Sequence, residues 1–211
     1  MKQPETRKTE LVCILDRSGS MGGLETDTIG GFNAMLDKQR KLPGELNVTA
    51  VLFDHAYEML YSHRDIRKIS PMTGDDYYVR GSTAMLDAIG FAMDQMKNDI
   101  REMPKAERPD DVIFFITTDG YENASTRFSY EDIKKKISTA KEKYGWEFIF
   151  SAANIDEKKI ARELDIDEDR VYGYEPTGAG VDKNMKILHC MCADIRTRPS
   201  KKKSVKKSGN Q

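Results

Sequence analysis

The sequence predicts an α/β fold built on a mostly parallel sheet. Three observations carry the prediction. Short apolar runs alternate with segments of helical periodicity, two of the runs lie too close together for a crossover, and polar side chains gather just after two of the runs.

The elements follow in chain order. "ELVCILD" (10–16) is a continuous apolar run, as expected of a strand covered on both faces. Between Leu24 and Lys41, Ile29, Phe32 and Leu36 recur at helical spacing. "LNVTAVLFD" (46–54) is rich in β-branched and aromatic residues. "YEMLYS" (57–62) follows after only two residues, which permits an antiparallel hairpin and nothing else. An irregular stretch with Pro71 and Gly74 runs to Arg80. The next segment puts Met85, Ile89, Met93, Met96, Ile100 and Met103 on one helical face, where core packing explains the methionines better than a plastic binding groove.

"DVIFFITTD" (111–119) has the strongest strand pattern in the chain. Ile133, Ile137, Ala140 and Tyr144 mark a helix leading to the strand "WEFIFSAAN" (146–154). A short helix near 157–164, a short strand "RVYGYE" and a last helix near 181–195 complete the body. With right-handed crossovers, these elements form a doubly wound, Rossmann-like, six-stranded sheet of order 3-2-1-4-5-6 flanked by helices. Strand 3 is antiparallel at one edge. Inside the first helix, Gly30 and Gly31 each cost about 1 kcal/mol against alanine, which close packing on the sheet would explain.

Composition narrows the class. A hydrophobic share of 38% with 33% charged residues suits a solvated globule. No apolar stretch approaches the roughly 20 residues that span a bilayer, and "MKQPETRKTE" does not resemble a signal peptide. These features predict a cytoplasmic protein without a membrane partner. Cys13, Cys190 and Cys192 have no framework spacing and suit a reducing compartment. "HCMC" (189–192) reads as apolar helix positions, because Cys190 and Cys192 point about 200° apart on a helix.

The net charge of −1 conceals a division. Residues 196–211 hold seven basic side chains and no acid, which leaves the rest of the chain at −8. We therefore expect a folded domain over 9–195 and a basic, disordered tail over 196–211. The tail reads as a solubilising end, or alternatively as a weak, salt-sensitive nucleic-acid contact.

Three polar clusters carry the chemistry. "DRSGS" (16–20) sets Asp16, Ser18 and Ser20 at alternate positions directly after strand 1. Asp119 stands at the end of strand 4, and Ser82 and Thr83 open the helix that feeds that strand. Each has an ordinary reading by itself: a polar loop, an Asp-Gly turn, a helix N-cap. All three, however, fall at one crevice, where strands 1 and 4 are neighbours and their helices leave to opposite faces. Oxygen donors of this kind suit a hard divalent cation.

"DRSGSM", "GSTAMLDAI" and "FFITTDG" resemble the metal-ion-dependent adhesion site (MIDAS) of the von Willebrand factor type A (VWA) domain. The resemblance covers about 9–195, and "DTIGGFNAMLDKQRK" is similar to intracellular bacterial and phage members. It implies Ser18, Ser20 and Thr83 as direct ligands, with Asp16 and Asp119 acting through waters and hydrogen bonds. It also implies Mg²⁺, with Mn²⁺ or Ca²⁺ as alternatives, and a protein partner presenting an Asp or Glu. For intracellular bacterial members the resemblance also implies work beside an AAA+ ATPase as one candidate partner.

Enzymatic readings are weaker, and we expect no enzyme. A haloacid-dehalogenase-like phosphohydrolase would use Asp16 as nucleophile and a second Asp two residues on, where this chain has Ser18. "GSMGG" matches neither phosphate-binding glycine motif. His55 reads as a hairpin-turn residue, and His63 and His189 as surface or helix-packing residues, none beside a nucleophile elbow.

Overall fold

Alternate residues of the central strands face opposite sides, and both sides are apolar. Val12, Ile14, Phe114, Ile116, Phe148 and Phe150 enter one core, while Leu11, Cys13, Leu15, Ile113, Phe115 and Ile149 enter the other. A strand with two buried faces reads as a continuous apolar run, which is why these strands are visible in the sequence.

The computed structural model describes residues 7–198. In chain order it comprises β1 (Lys8–Asp16), α1 (Glu25–Arg40), β2 (Glu45–Phe53), β3 (Tyr57–Asp65), α2 (Met85–Glu102), β4 (Asp111–Thr118), α3 (Tyr130–Tyr144), β5 (Glu147–Ala152), α4 (Glu157–Glu163), β6 (Val171–Gly173) and α5 (Gly178–Thr197). The sheet has the order β3-β2-β1-β4-β5-β6. Among the described residues the β2–β3 pair alone is antiparallel. Fold class, strand order and the antiparallel edge are as the sequence predicts.

Helices α2, α3 and α4 cover one face, with Met85, Ile89, Met93 and Met96 buried in it, so the methionine stripe is core. Met103 lies one residue beyond α2. Helices α1 and α5 cover the other face. The helices after β1 and β4 therefore leave to opposite sides and open a crevice between the strand ends. Helix α3 shows its boundaries plainly: Ser129 and Asp132 form a capping box, and Gly145 ends the helix in the left-handed region at φ 69°.

Several boundaries and roles differ from expectation. The domain limit placed between Ile195 and Arg196 falls inside α5. The Arg196 side chain is buried and donates to the Gln39 carbonyl (3.0 Å) and its Oε1 (2.7 Å), because the end of α5 packs against the end of α1. The rest of the expected tail, from 199 onward, lies outside the described residues. Gly31 is explained by α5 rather than by the sheet: an added Cβ would sit 3.0 Å from Met185 Cγ. A Cβ at Gly30 would meet nothing within 4 Å, so packing does not explain that glycine. Cys192 is buried and Cys190 exposed, as their helical phase requires. Among the described residues no helix is long and apolar enough to cross a membrane.

Candidate metal centre

Two neighbouring parallel strands supply the acids. β1 ends at Asp16 and β4 at Thr118, and their register sets Leu15 beside Thr117. Asp16 therefore emerges next to Thr118, whose hydroxyl donates to Asp16 Oδ2 (2.6 Å). Asp16 Oδ1 accepts from the Ser18 amide (2.6 Å), a turn that bends the chain directly out of the strand. The buried Tyr77 hydroxyl donates to the Asp16 carbonyl (2.5 Å). The carboxylate is thus oriented from its own loop and from β4, while Tyr77 fixes the Asp16 backbone.

The hydroxyls form a chain across the crevice. Thr83 Oγ1 donates to Ser18 Oγ (3.0 Å), Ser18 Oγ lies 3.2 Å from Ser20 Oγ, and Ser20 donates to Asp119 Oδ1. All five candidate residues of the sequence reading, Asp16, Ser18, Ser20, Thr83 and Asp119, are thereby brought to one place. Asp16, Ser18, Thr83 and Asp119 are buried, while Ser20 is at the exposed side. Gly120 permits this closeness, since a Cβ there would fall 3.1 Å from Ser20 Oγ.

Thr83 does not cap its helix, contrary to the ordinary reading of that position. α2 begins at Met85, and Ala84 precedes it without a side-chain cap. Capping groups come instead from the loop after β4. Glu122 accepts from the Leu86 amide (2.9 Å), and Ser125 Oγ from the Asp87 amide (3.0 Å). Asp87 returns the exchange by accepting from the amides of Thr126, Arg127 and Phe128. Asn123 and Thr83 trade backbone and side-chain bonds, at 2.9 Å and 3.0 Å. Thr83 is therefore free to turn its hydroxyl toward Ser18.

Electrostatics set this crevice apart. Burial pushes the Asp16 carboxyl up to about 6, despite hydrogen bonds from Ser18 and Thr118 that oppose the shift. Burial also raises the Asp119 carboxyl. Asp119 Oδ2 is buried and has no hydrogen-bond partner among the described residues. A buried carboxylate oxygen without a partner is costly, and a cation or its bound water is the natural complement. Among the described residues no group of three or more His, Cys, Asp or Glu side chains is placed to hold a metal ion. The present donors are two carboxylates and three hydroxyls, all hard oxygen, which fits a hard divalent cation rather than a soft metal.

Residues that the sequence reading did not single out complete the crevice: Thr118, Tyr77, Glu122 and Asn123, together with an ionic cluster of Arg17, Asp54, Glu58 and Arg80. Arg17 and Asp54 are fully buried and paired at 3.0 Å. Thr118 had a local signal, its place beside Asp119, but its bond to Asp16 depends on strand register. The histidines lie outside the set of five. His55 is in the hairpin turn and His189 packs between α1 and α5 against Gln39 (3.0 Å), as expected. His63 packs against a helix rather than lying on the surface. It bridges Glu10 (3.0 Å) and Asp99 (2.9 Å) between β1 and α2.

Neither protein-family models nor curated protein sequences match the chain. Solved structures do. The vWF domain of the type V pili tip protein Mfa5 from Porphyromonas gingivalis is 13% identical, with 88% of this chain and 96% of that one covered, at a TM-score of 0.59. Mussel proximal thread matrix protein 1, in a form with a zinc-occupied MIDAS motif, is 16% identical over 89% of this chain and 46% of its own, also at 0.59. The manganese-loaded TRAP protein of Plasmodium vivax is 16% identical over 85% and 73%, at 0.53. The chain spans under half the length of the mussel protein. At such identities the likeness is one of fold: the chain has the α/β fold of the von Willebrand factor type A domain.

Proposed function

We propose that the crevice binds one divalent cation, Mg²⁺ or Mn²⁺, and that the bound cation captures an Asp or Glu of a partner protein. The observation that carries this reading is the convergence of Ser18, Ser20 and Thr83 between two buried carboxyls, one of them with an unpartnered oxygen. Ser18, Ser20 and Thr83 would hold the ion directly, while Asp16 and Asp119 orient the hydroxyls and supply charge one layer out. A dication ligated directly by neutral hydroxyls keeps most of its charge and attracts an external carboxylate. The zinc and manganese forms of the two fold neighbours support a divalent ion in a fold of this kind.

In this reading the protein is an intracellular binding module, and an AAA+ ATPase is one partner it would suit. The three free cysteines agree with a reducing compartment. A phosphohydrolase is disfavoured because Ser18, which would stand where the acid is needed, does not protonate a leaving group at neutral pH.

Calorimetric titration of chelator-stripped protein with Mg²⁺ and Mn²⁺ tests the first half. One site is expected, and it should be lost in Asp16→Ala. Equal binding by that variant would remove the assignment. Partner binding should then disappear in EDTA and on replacing a single acidic residue of the partner. Affinity unchanged by chelation would leave the cation a purely structural role.

A further inference from the structure

We propose that Asp54 is a positioning residue that holds the Thr83 segment against the Ser18–Ser20 loop. The inference rests on the cation reading above and concerns how the three hydroxyls are kept in register. Asp54 follows β2, beside the end of β1, where the Arg17 amide donates to the Phe53 carbonyl (2.8 Å). Its carboxylate is fully buried. Oδ2 accepts from Arg17 Nε (3.0 Å) and from Arg80 Nε (2.6 Å), and Oδ1 accepts from the Ala56 amide (2.7 Å). The Asp54 carbonyl accepts from the Ala84 amide (2.8 Å).

These bonds reach the ligand-bearing segments at chosen points. Arg17 stands between Asp16 and Ser18. Arg80 and Ala84 lie on either side of Thr83. The two segments also touch directly, through Arg80 N to the Arg17 carbonyl (2.9 Å) and Gly19 N to the Gly81 carbonyl (3.0 Å). The Tyr78 ring covers both guanidiniums, 5.3 Å from Arg17 and 5.4 Å from Arg80. Burial opposes ionisation of Asp54, but hydrogen bonds from Arg80 and Ala56 and the two guanidinium charges lower its pKa overall. The acid is therefore held ionised between two cations.

The cluster is close to neutral: Arg17 and Arg80 balance Asp54 and Glu58. Its effect on the cation site is then one of geometry. Groups that orient ligands without touching the metal typically change affinity by about 10- to 100-fold when removed. Glu58 serves as a built-in control. It accepts from Arg17 Nη2 (2.5 Å), yet its carboxylate is half-exposed and stands 3.6 Å from Arg80, where the buried Asp54 carboxylate bonds Arg80 at 2.6 Å.

Mn²⁺ affinity of the full chain, measured by calorimetry on chelator-stripped protein, tests the proposal. Asp54→Asn should weaken binding by about 10- to 100-fold. Glu58→Gln, which removes the same charge from the same cluster, should leave affinity within about threefold. In a Thr83→Ala background the added cost of Asp54→Asn should fall to about threefold or less, because residues acting through one another are not additive. Arg80→Ala keeps the buried Arg17–Asp54 pair and covers the case in which Asp54→Asn does not fold. Losing a positive charge would raise cation affinity if charge ruled, whereas lost positioning lowers it. Parental or higher affinity in Arg80→Ala, equal losses in the Asp54 and Glu58 variants, or full multiplication in the double variant would each overturn the role of Asp54. Failure of the unaltered chain to bind Mn²⁺ would overturn the cation reading, and this inference with it.

Discussion

The two ends of the sheet differ in how their acids are satisfied, although the Arg17–Asp54–Arg80 cluster at the first is also charge-matched. At the end where β1 and β4 finish, three hydroxyls and two buried carboxyls converge, and Asp119 keeps an oxygen without a partner. At the other end, charges are matched closely. Asp111 receives two bonds from Arg7, Arg7 also donates to the Arg198 carbonyl (2.5 Å), and Glu147 receives two bonds from Arg198 and one contact from Arg170 (3.0 Å). His63 sits at this end too, between Glu10 and Asp99. The pairing ties the beginning of the described chain to its end. Under the proposed cation reading, the contrast would give one rim to binding and the other to stability, since a carboxylate oxygen left unsatisfied by the protein is available to a cation.

Three measurements would sharpen or break that contrast, and a fourth gives a reference away from both rims. The largest effect belongs to the rim proposed to bind the cation. Asp16→Asn should weaken Mn²⁺ binding by about 100-fold. In chelator at pH 7 the variant should melt no lower than the parent, because a carboxylate titrating near 6 is charged and buried there at a cost that the amide avoids. A large drop in melting temperature would make Asp16 a structural residue.

At the opposite rim the pattern should invert. Glu147→Ala should destabilise by about 2 kcal/mol, since it strands Arg198 and Arg170 in a partly buried site. Its Mn²⁺ affinity should match the parent's. A metal defect in this variant would show that the two rims are coupled.

The pH dependence of stability separates them further. Burial alone would lower the His63 pKa, but hydrogen bonds and charge from Glu10 and Asp99 outweigh it and raise it to about 9, against 6.5 for the free side chain. A raised folded-state pKa contributes stability that is complete below about 6.5 and vanishes as pH rises through 9. Urea unfolding should therefore show the parent losing about 2 kcal/mol more than His63→Gln between pH 6 and pH 9.5. Parallel profiles would mean the bridge contributes nothing.

The smallest effect tests neither rim. Gly30→Ala adds a methyl to open space in a helix and should stabilise by about 1 kcal/mol, read in the same urea unfolding experiment. Gly31→Ala should gain less or lose, with Met185 in the way. Equal gains at both positions would mean that α5 yields easily.

What was legible in the sequence had a local cause. The strands were readable because two covered faces demand unbroken apolar runs, and α2 because its methionines repeat with the helix. The five candidate oxygen donors were readable because "DRSGS" carries three of them within five residues and the others follow strand or helix boundaries. Even there, the N-cap role open to Thr83 went to Glu122 and Ser125, whose approach depends on the path of the loop after β4.

The remainder depended on separation along the chain. Arg17 meets Asp54 across 37 residues and Thr118 meets Asp16 across 102, pairings that need strand order and register together. The sequence leaves His63 open between surface and helix packing because its partners, Glu10 and Asp99, come from elements remote in sequence. Gly31 looked like a helix-on-sheet glycine until α5 was placed against it. By itself, then, the sequence determined the α/β class, the strand order and the identity of the convergent oxygens, since periodicity and short-range spacing encode them. Tertiary structure alone decided which charges neutralise each other, which hydroxyl is released from capping and which carboxylate oxygen is left unpartnered. Those outcomes depend on contacts of a few ångströms between distant segments, and no local pattern records them.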